Sequence, residues 1–119
     1  DLGHLNAHGT GTSANDSSES KAVHLLCGDE IGSKVPVTSI KGSTGHMLGA
    51  AGAVEAIVCA LSVARGVVTP TAGFTEADPE CNVNVVADQM IEVPQKVALT
   101  NSLGFGGHNA CLALSPYMA

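Results

Sequence analysis

A long apolar segment, residues 49–64, constrains the fold of this chain more than any other feature. Small residues recur along it at helical spacing, so neighbouring layers can approach the predicted helix closely on both sides. These small residues are Gly52, Ala53, Ala56 and Ala60. The segment carries one charge, Glu55, ends before Arg65, and is shorter than the ~18–20 residues that cross a bilayer. We therefore predict a helix buried between layers, and no membrane span.

The composition agrees with a layered α/β interior. The 119 residues suffice for one domain, and they are 45% hydrophobic but only 3% aromatic, with 14 glycines. The core must therefore be built from Ala, Val, Leu and Ile on closely approaching backbones. The net charge is −6 and the five lysines and arginines are scattered, so no basic patch for nucleic acid is expected.

The cysteines predict neither a metal site nor a disulfide framework. They are widely separated, without a CxxC pair or a histidine at metal-ligand spacing: Cys27, Cys59, Cys81 and Cys111. Reduced thiols in the cytoplasm are therefore expected. The chain opens with Asp1 inside an apolar strand pattern, without a leader, and we expect it to be a piece of a longer protein.

Periodicity and turn residues predict five strands and two helices, with the strands at residues 2–7, 35–40, 83–86, 97–103 and 110–114. Asp16 is the expected cap of the first helix, Glu19 its capping-box partner, and Gly28 its end. Residues 41–48 are expected to form a strand-to-helix loop, and residues 66–80 a longer loop. Three strands joined by two crossover helices and followed by closing antiparallel strands predict a mixed sheet.

Two histidines stand in runs of small residues, His8 in residues 6–12 (NAHGTGT) and His46 in residues 41–46 (KGSTGH). Two neutral imidazoles can donate hydrogen bonds to a carbonyl oxygen while negative charge grows on it. Either histidine alone is typical of an ordinary loop. With a third glycine-rich run at residues 101–109 (NSLGFGGHN), the pair predicts an enolate-stabilising site that forms or breaks carbon–carbon bonds.

Three motifs in this order resemble the C-terminal half of the β-ketoacyl-acyl carrier protein synthases, specifically the elongating type II condensing enzymes of the thiolase superfamily. The motifs are NAHGTGT with Asn15, Asp16 and Glu19; KGSTGH followed by LGAAGAVEA; and GFGG at residues 104–107. The resemblance covers essentially the whole chain. It implies an α/β, thiolase-like fold in which residues 1–119 form an incomplete C-terminal segment, a mixed sheet with a buried Gly/Ala-rich helix.

The resemblance also implies roles in a decarboxylation site. His8 and His46 are similar to the family histidines that hydrogen-bond the malonyl thioester carbonyl while carbon dioxide leaves. Lys41 resembles the lysine that orders this site, and Glu55 resembles its carboxylate partner. A charge on a buried helix has to be paired, which agrees with this assignment. The alternative for Glu55 is a buried side chain that meets only backbone.

Further residues resemble the family's pantetheine and gating groups. Thr10 and Thr12 resemble the pair that binds the phosphopantetheine arm. Phe105 resembles the gating phenylalanine whose N–H contributes to the oxyanion hole, although residue type alone favours core packing. Gly104, Gly106 and Gly107 would let this loop move.

The family's nucleophile is absent from this segment, because it is a cysteine in the N-terminal half and none of the four cysteines here stands at a strand-to-helix elbow. Each is interpreted as structural. The resemblance further implies no metal and no cofactor other than phosphopantetheine-borne substrates. As partners it implies acyl carrier protein, the missing N-terminal half and a second copy in a homodimer.

The predicted function is fatty acid elongation by decarboxylative Claisen condensation, with this chain supplying the malonyl site and the gating loop. Two alternatives stay open. One is a polyketide ketosynthase domain, which adjoining acyltransferase or carrier domains would reveal. The other is a non-catalytic thiolase-fold module for chain length or dimerisation, which the lysine and the two imidazoles argue against. An upstream reading frame that encodes a cysteine at a strand-to-helix elbow would favour a synthase. A start codon close to Asp1 would favour the stand-alone module.

Overall fold

The computed structural model describes residues 2–94 and 96–118. The strands are β1 (Leu2–Asn6), β2 (Pro36–Thr38), β3 (Val67–Val68), β4 (Asn84–Val85), β5 (Ile91–Glu92), β6 (Val97–Gly104) and β7 (His108–Leu114). The helices are α1 (Ser13–Cys27), α2 (Asp29–Gly32), α3 (Lys41–Thr44) and α4 (Ala51–Arg65), with 3₁₀ turns at Leu48–Ala50 and Phe105–Gly107.

Five strands form the mixed sheet that the sequence predicts, and their order is β4-β2-β1-β6-β7. Its pairings are parallel except for β6 with β7. The expectation that several closing strands are antiparallel is wrong. Strand β6 runs parallel to β1, and only β7 pairs in the antiparallel direction. A separate two-stranded ribbon, β3 with β5, starts within the predicted loop of residues 66–80.

Helix α1 begins three residues before the predicted cap. The Thr12 hydroxyl accepts a hydrogen bond from the Asn15 N–H at 3.3 Å, so Thr12 rather than Asp16 is the N-cap. Gly28, with φ +78°, ends the helix as predicted. Glu19 is not a capping-box partner: its side chain is buried and points to the turn that follows β1.

The segment predicted as a loop at residues 41–48 is partly helical. Lys41–Thr44 form α3, Gly45 interrupts the helix with φ +71°, and a 3₁₀ turn at Leu48–Ala50 leads into α4. The short helix brings the Lys41 side chain back over the sheet instead of leaving it in an open loop.

Helix α4 packs one face against the other described residues and leaves its opposite face exposed in this segment. One face is buried, with Ala51, Glu55, Cys59, Ser62 and Val63, whereas Ile57 is 60% exposed and Leu61 47%. With the 3₁₀ turn, the helical stretch Leu48–Arg65 reaches 18 residues with a mean hydropathy of 1.6, so the expectation that it is too short for a membrane span is wrong. Its buried face nevertheless packs on β6 and contains an ion-paired glutamate, as in a helix of a layered α/β domain.

The two faces of the central strand β1 differ in chemistry. Leu5 and Ala7 pack with Val23 of α1 in the main apolar core. On the other face, the Asn6 amide donates to the Glu55 carbonyl of α4 at 3.0 Å. His4 is fully buried, and neither of its ring nitrogens has a hydrogen-bond partner within the described ranges. Burial lowers the pKa of His4 to about 4, so its imidazole is neutral at physiological pH.

Candidate functional site

The site is assembled where the parallel strands β1 and β2 end. His8 lies directly after β1 with 6% of its surface exposed. Lys41 and Glu55 come from α3 and α4, which follow β2. The carboxyl ends of parallel strands share one edge of the sheet, and ligands commonly bind there in open α/β folds.

Lys41 lies at the centre of this arrangement. Its ammonium forms an ion pair with the Glu55 carboxylate, donates to the His8 carbonyl oxygen at 2.6 Å, and lies 3.2 Å from His8 Nδ1. Lys41 is 8% exposed and Glu55 1%. The structure thus brings together the lysine and the glutamate as the sequence predicts, and it excludes a Glu55 side chain that meets only backbone.

His46 completes the group from the loop after α3. Its ring meets that of His8 edge to face, with the ring centroids 5.3 Å apart. The Leu48 N–H donates to His46 Nδ1 at 3.1 Å. Leu48 makes this hydrogen bond with a φ of +50°. A left-handed conformation is unusual for leucine and costs of order 1 kcal/mol, as often occurs where backbone orients a functional group.

The hydrogen bonds around both imidazoles select the same tautomer. In each ring Nδ1 faces a donor, the Lys41 ammonium for His8 and the Leu48 N–H for His46. The ring proton of the neutral form therefore sits on Nε2, where it can be donated to a ligand. Burial, followed by the positive charge of Lys41, lowers the pKa of His8 and favours its neutral form. Two Nε2–H donors beside each other suit an oxygen on which negative charge develops.

Glu19 is a site residue that the sequence reasoning placed in a helix cap instead. Its carboxylate accepts from the N–H groups of His8 and Gly9 at 2.9 and 2.8 Å. It also accepts from the Asn15 and Asn101 amides at 2.9 and 3.2 Å. Four donors on one buried carboxylate fix the turn that carries His8. A glutamate one helical turn after Asn15, on the face toward the sheet, was the available signal for this role.

Of the two predicted pantetheine residues, Thr10 lines the same cavity as His46 and Thr12 does not. The Thr10 and Thr12 hydroxyls are 2.9 Å apart, and Thr12 also caps α1. Thr10, Lys41 and His46 line a cavity of about 540 Å³ whose other walls include residues of α1, β1, β2 and the segment 71–78. Such a volume suits a small ligand or an extended arm.

Phe105 lies in the turn between β6 and β7 and is 93% exposed in this segment, so it does not pack in the core that the described residues form. Gly106 and Gly107, with φ +77° and +80°, adopt left-handed conformations that glycine tolerates without strain. Since β6 runs parallel to β1, this turn lies at the sheet edge where β1 delivers His8. No residue of 104–107 lines the cavity that His46 lines, so the gating role of Phe105 stays a prediction.

Three of the four cysteines lie where their surroundings disfavour the thiolate. Burial raises the pKa of Cys59 to about 11. Burial also raises the pKa values of Cys81 and Cys111, with further repulsion from Asp78 at Cys81. Within residues 2–94 and 96–118, His, Cys, Asp and Glu side chains form no group that could hold a metal ion.

The fold is that of a thiolase-like protein, its paired imidazoles could hydrogen-bond a carbonyl oxygen, and comparison with known proteins gives the family. Residues 1–75 match the model described as beta-ketoacyl synthase, C-terminal domain. The chain is 43% identical over 119 residues to 3-oxoacyl-[acyl-carrier-protein] synthase 2 of Staphylococcus aureus, covering all of this chain and 28% of that relative. The chain therefore belongs to the β-ketoacyl synthase family, through its C-terminal domain.

Solved structures confirm the thiolase-like fold predicted from the resemblance. The ishigamide ketosynthase/chain length factor superposes with a TM-score of 0.90 at 38% identity, covering 98% of this chain and 28% of that one. A type II polyketide ketosynthase, solved with its acyl-carrier protein and a hexaketide, gives 0.91 at 32% identity with the same coverage. The chain thus spans about 28% of the length of the proteins it matches.

Proposed function

We propose that the full-length protein carrying this chain elongates acyl chains by decarboxylative Claisen condensation with malonyl-acyl carrier protein. Lys41 carries the proposal, because one buried ammonium joins His8 to Glu55 and leaves the His8 Nε2–H available to a substrate oxygen. The 43% identity to a 3-oxoacyl-[acyl-carrier-protein] synthase supports the same reaction. Both substrates arrive as phosphopantetheine thioesters, and the chemistry requires no metal and no further cofactor.

The proposed reaction has two halves. A cysteine thiolate outside this segment attacks the acyl thioester, and the phosphopantetheine thiol leaves with a proton. The malonyl group then loses carbon dioxide, and the electron pair of the broken bond moves onto the thioester oxygen. His8 and His46 donate their Nε2–H groups to that enolate oxygen. The carbanion attacks the acyl-cysteine carbonyl, and the cysteine thiolate leaves.

The remainder of the protein supplies the nucleophile and covers the exposed face of α4. Ile57 and Leu61 lie on this face, and apolar surface of this kind normally contacts another part of the protein. We propose that an N-terminal half occupies it and that the complete enzyme is a cytoplasmic homodimer. We also expect the isolated 119-residue chain to give neither an acyl adduct by intact mass nor a β-ketoacyl product.

Separation of the two half-reactions in the full-length protein tests the function. His8→Ala and His46→Ala should each lower malonyl decarboxylation by on the order of 10²-fold, because each removes one enolate hydrogen bond. Acylation of the cysteine, measured by intact mass with acyl-carrier protein, should stay near the wild-type rate. Parallel loss of both half-reactions in folded variants would contradict the proposed division of roles.

A polyketide ketosynthase is the second candidate, favoured by the similarity to the type II polyketide ketosynthase at a TM-score of 0.91. The same histidines would serve it. Competition between acyl-carrier protein loaded with a saturated acyl chain and acyl-carrier protein loaded with a β-keto acyl chain separates the two functions. Preference for the saturated acyl chain supports fatty acid elongation, and preference for the β-keto chain supports polyketide synthesis.

A further inference from the structure

We propose that Ser39 is a positioning residue for the condensation reaction, acting through the backbone of the His8–Gly9 turn on the His8 imidazole. The inference rests on the proposed function and adds a residue to its machinery. Ser39 lies between the end of β2 and the start of α3, two residues before Lys41, and is 8% exposed.

The Ser39 hydroxyl holds the turn from the side opposite to Glu19. Its oxygen donates to the Gly9 carbonyl at 3.0 Å, lies 3.5 Å from the His8 carbonyl, and accepts from the Lys41 N–H at 3.4 Å. Glu19 binds the two N–H groups of the same turn. Both polar sides of the His8–Gly9 backbone are therefore fixed, the N–H groups by α1 and the carbonyl groups by Ser39 and Lys41.

Close packing leaves this turn little freedom. Gly9 has a φ of +50°, and a Cβ at this position would overlap the Ser39 side chain. Ser39 is itself restrained, because its N–H donates to the Thr71 hydroxyl at 3.2 Å. The Thr71 hydroxyl lies 3.1 Å from that of Thr38, which donates to the Thr69 carbonyl at 2.9 Å. A chain of hydroxyl groups thus ties the loop that lines the cavity to the turn that carries His8.

Loss of the Ser39 hydroxyl would free the Gly9 carbonyl on one side of the turn. The His8 ring would keep its contact with Lys41 but lose a fixed backbone. Displacement of a donor by about 1 Å can cost up to about 10²-fold in rate, so a partial loosening should cost on the order of 10-fold. The loss should appear in kcat for decarboxylation, because the oxygen that His8 serves becomes charged only during reaction.

A double-mutant cycle in the full-length protein tests the inference. The variants are Ser39→Ala, His8→Ala and the double variant, with kcat and KM for malonyl decarboxylation measured apart from cysteine acylation. The matched control is Ser18→Ala, which removes a hydroxyl that donates to the Ala14 carbonyl at 2.7 Å on the exposed side of α1. If Ser39→Ala does not fold, Thr71→Val takes its place, since it releases the Ser39 backbone while keeping the Ser39 hydroxyl.

We expect Ser39→Ala to lower kcat about 10-fold with KM and acylation near wild type, and the control to change neither. In the His8→Ala background the same change should cost nothing further, because the group it positions is gone. An equal loss in both backgrounds, or a parallel loss of acylation, would show that Ser39 only supports the fold and would overturn the inference. Retention of full decarboxylation by His8→Ala would instead overturn the proposed function itself.

Discussion

The buried pair of Lys41 and Glu55 allows stability and activity to be separated. In Glu55→Leu the Lys41 ammonium stays buried without a counter-charge. In Lys41→Met the Glu55 carboxylate stays buried without a counter-charge. Removal of one partner from a buried pair costs about 3–5 kcal/mol, whereas replacement of both by apolar side chains is often nearly neutral. The two single variants should therefore be much less stable than the double variant.

The contacts of each partner predict which single change costs more. In Glu55→Leu, Lys41 keeps two acceptors, the His8 carbonyl at 2.6 Å and His8 Nδ1 at 3.2 Å. In Lys41→Met, the Glu55 carboxylate loses its one partner, since its Oε2 has none among the described residues. We expect a loss near 3 kcal/mol for Glu55→Leu, near 5 for Lys41→Met, and about 1–2 for the double variant.

Urea unfolding of the full-length protein, followed by circular dichroism, gives the four free energies of the cycle. The double variant should recover most of the stability but not decarboxylation, because His8 Nδ1 then has no ammonium to fix its tautomer. If the losses of stability in the two single variants simply added up in the double variant, desolvated charge would not dominate the cost of the single changes. Full activity in the double variant would refute the role of Lys41 in orienting His8.

Three further predictions concern residues around this pair. Glu19→Gln should lower both the melting temperature and kcat for decarboxylation, because an amide cannot accept from four donors; thermal unfolding and single-turnover rates measure this, and an unchanged rate would contradict it. His4→Phe should remove a pH dependence of the free energy of unfolding. The pKa of His4 is about 4 in the folded protein and 6.5 in the unfolded chain, so its contribution to wild-type stability is fully present above pH 6.5 and falls by up to about 3 kcal/mol as the pH drops toward 4. The urea midpoints at pH 7 and pH 5 should therefore differ less in the variant than in the wild type. Phe105→Ala should disturb the order of acyl and malonyl binding more than it disturbs stability, and identical Phe105 positions in structures with and without a bound acyl group would contradict a gate.

Local patterns predicted the strands of the sheet, and the family resemblance predicted the polar centre of the site. The strands around Leu5, Val37 and Leu99 have apolar runs bounded by glycine or proline, and the structure contains all of them. The contact between Lys41 and Glu55 followed from the family resemblance and from the need of a buried charge for a partner.

Other features depended on long-range contacts that local patterns do not contain. Asp16 and Glu19 have capping-box spacing, yet Thr12 caps α1 because Glu19 is drawn to the backbone of His8. The left-handed Leu48 opposes leucine's own preference and exists because its N–H binds His46. The one-sided burial of α4 could not be read from a helix that is apolar on nearly every side.

The position of β1 at the middle of the sheet also determines when the site can form during synthesis. Its neighbour β2 is made soon after it, but β6 follows much later, and Thr100 of β6 lies 94 residues after Asn6 of β1. Asn101, which binds Glu19, is 82 residues away from it. Contacts this distant in sequence form late, because loop closure must precede them. The first strand of the chain therefore emerges from the ribosome with one edge unpaired, and the turn carrying His8 becomes fully ordered only after β6 has been translated.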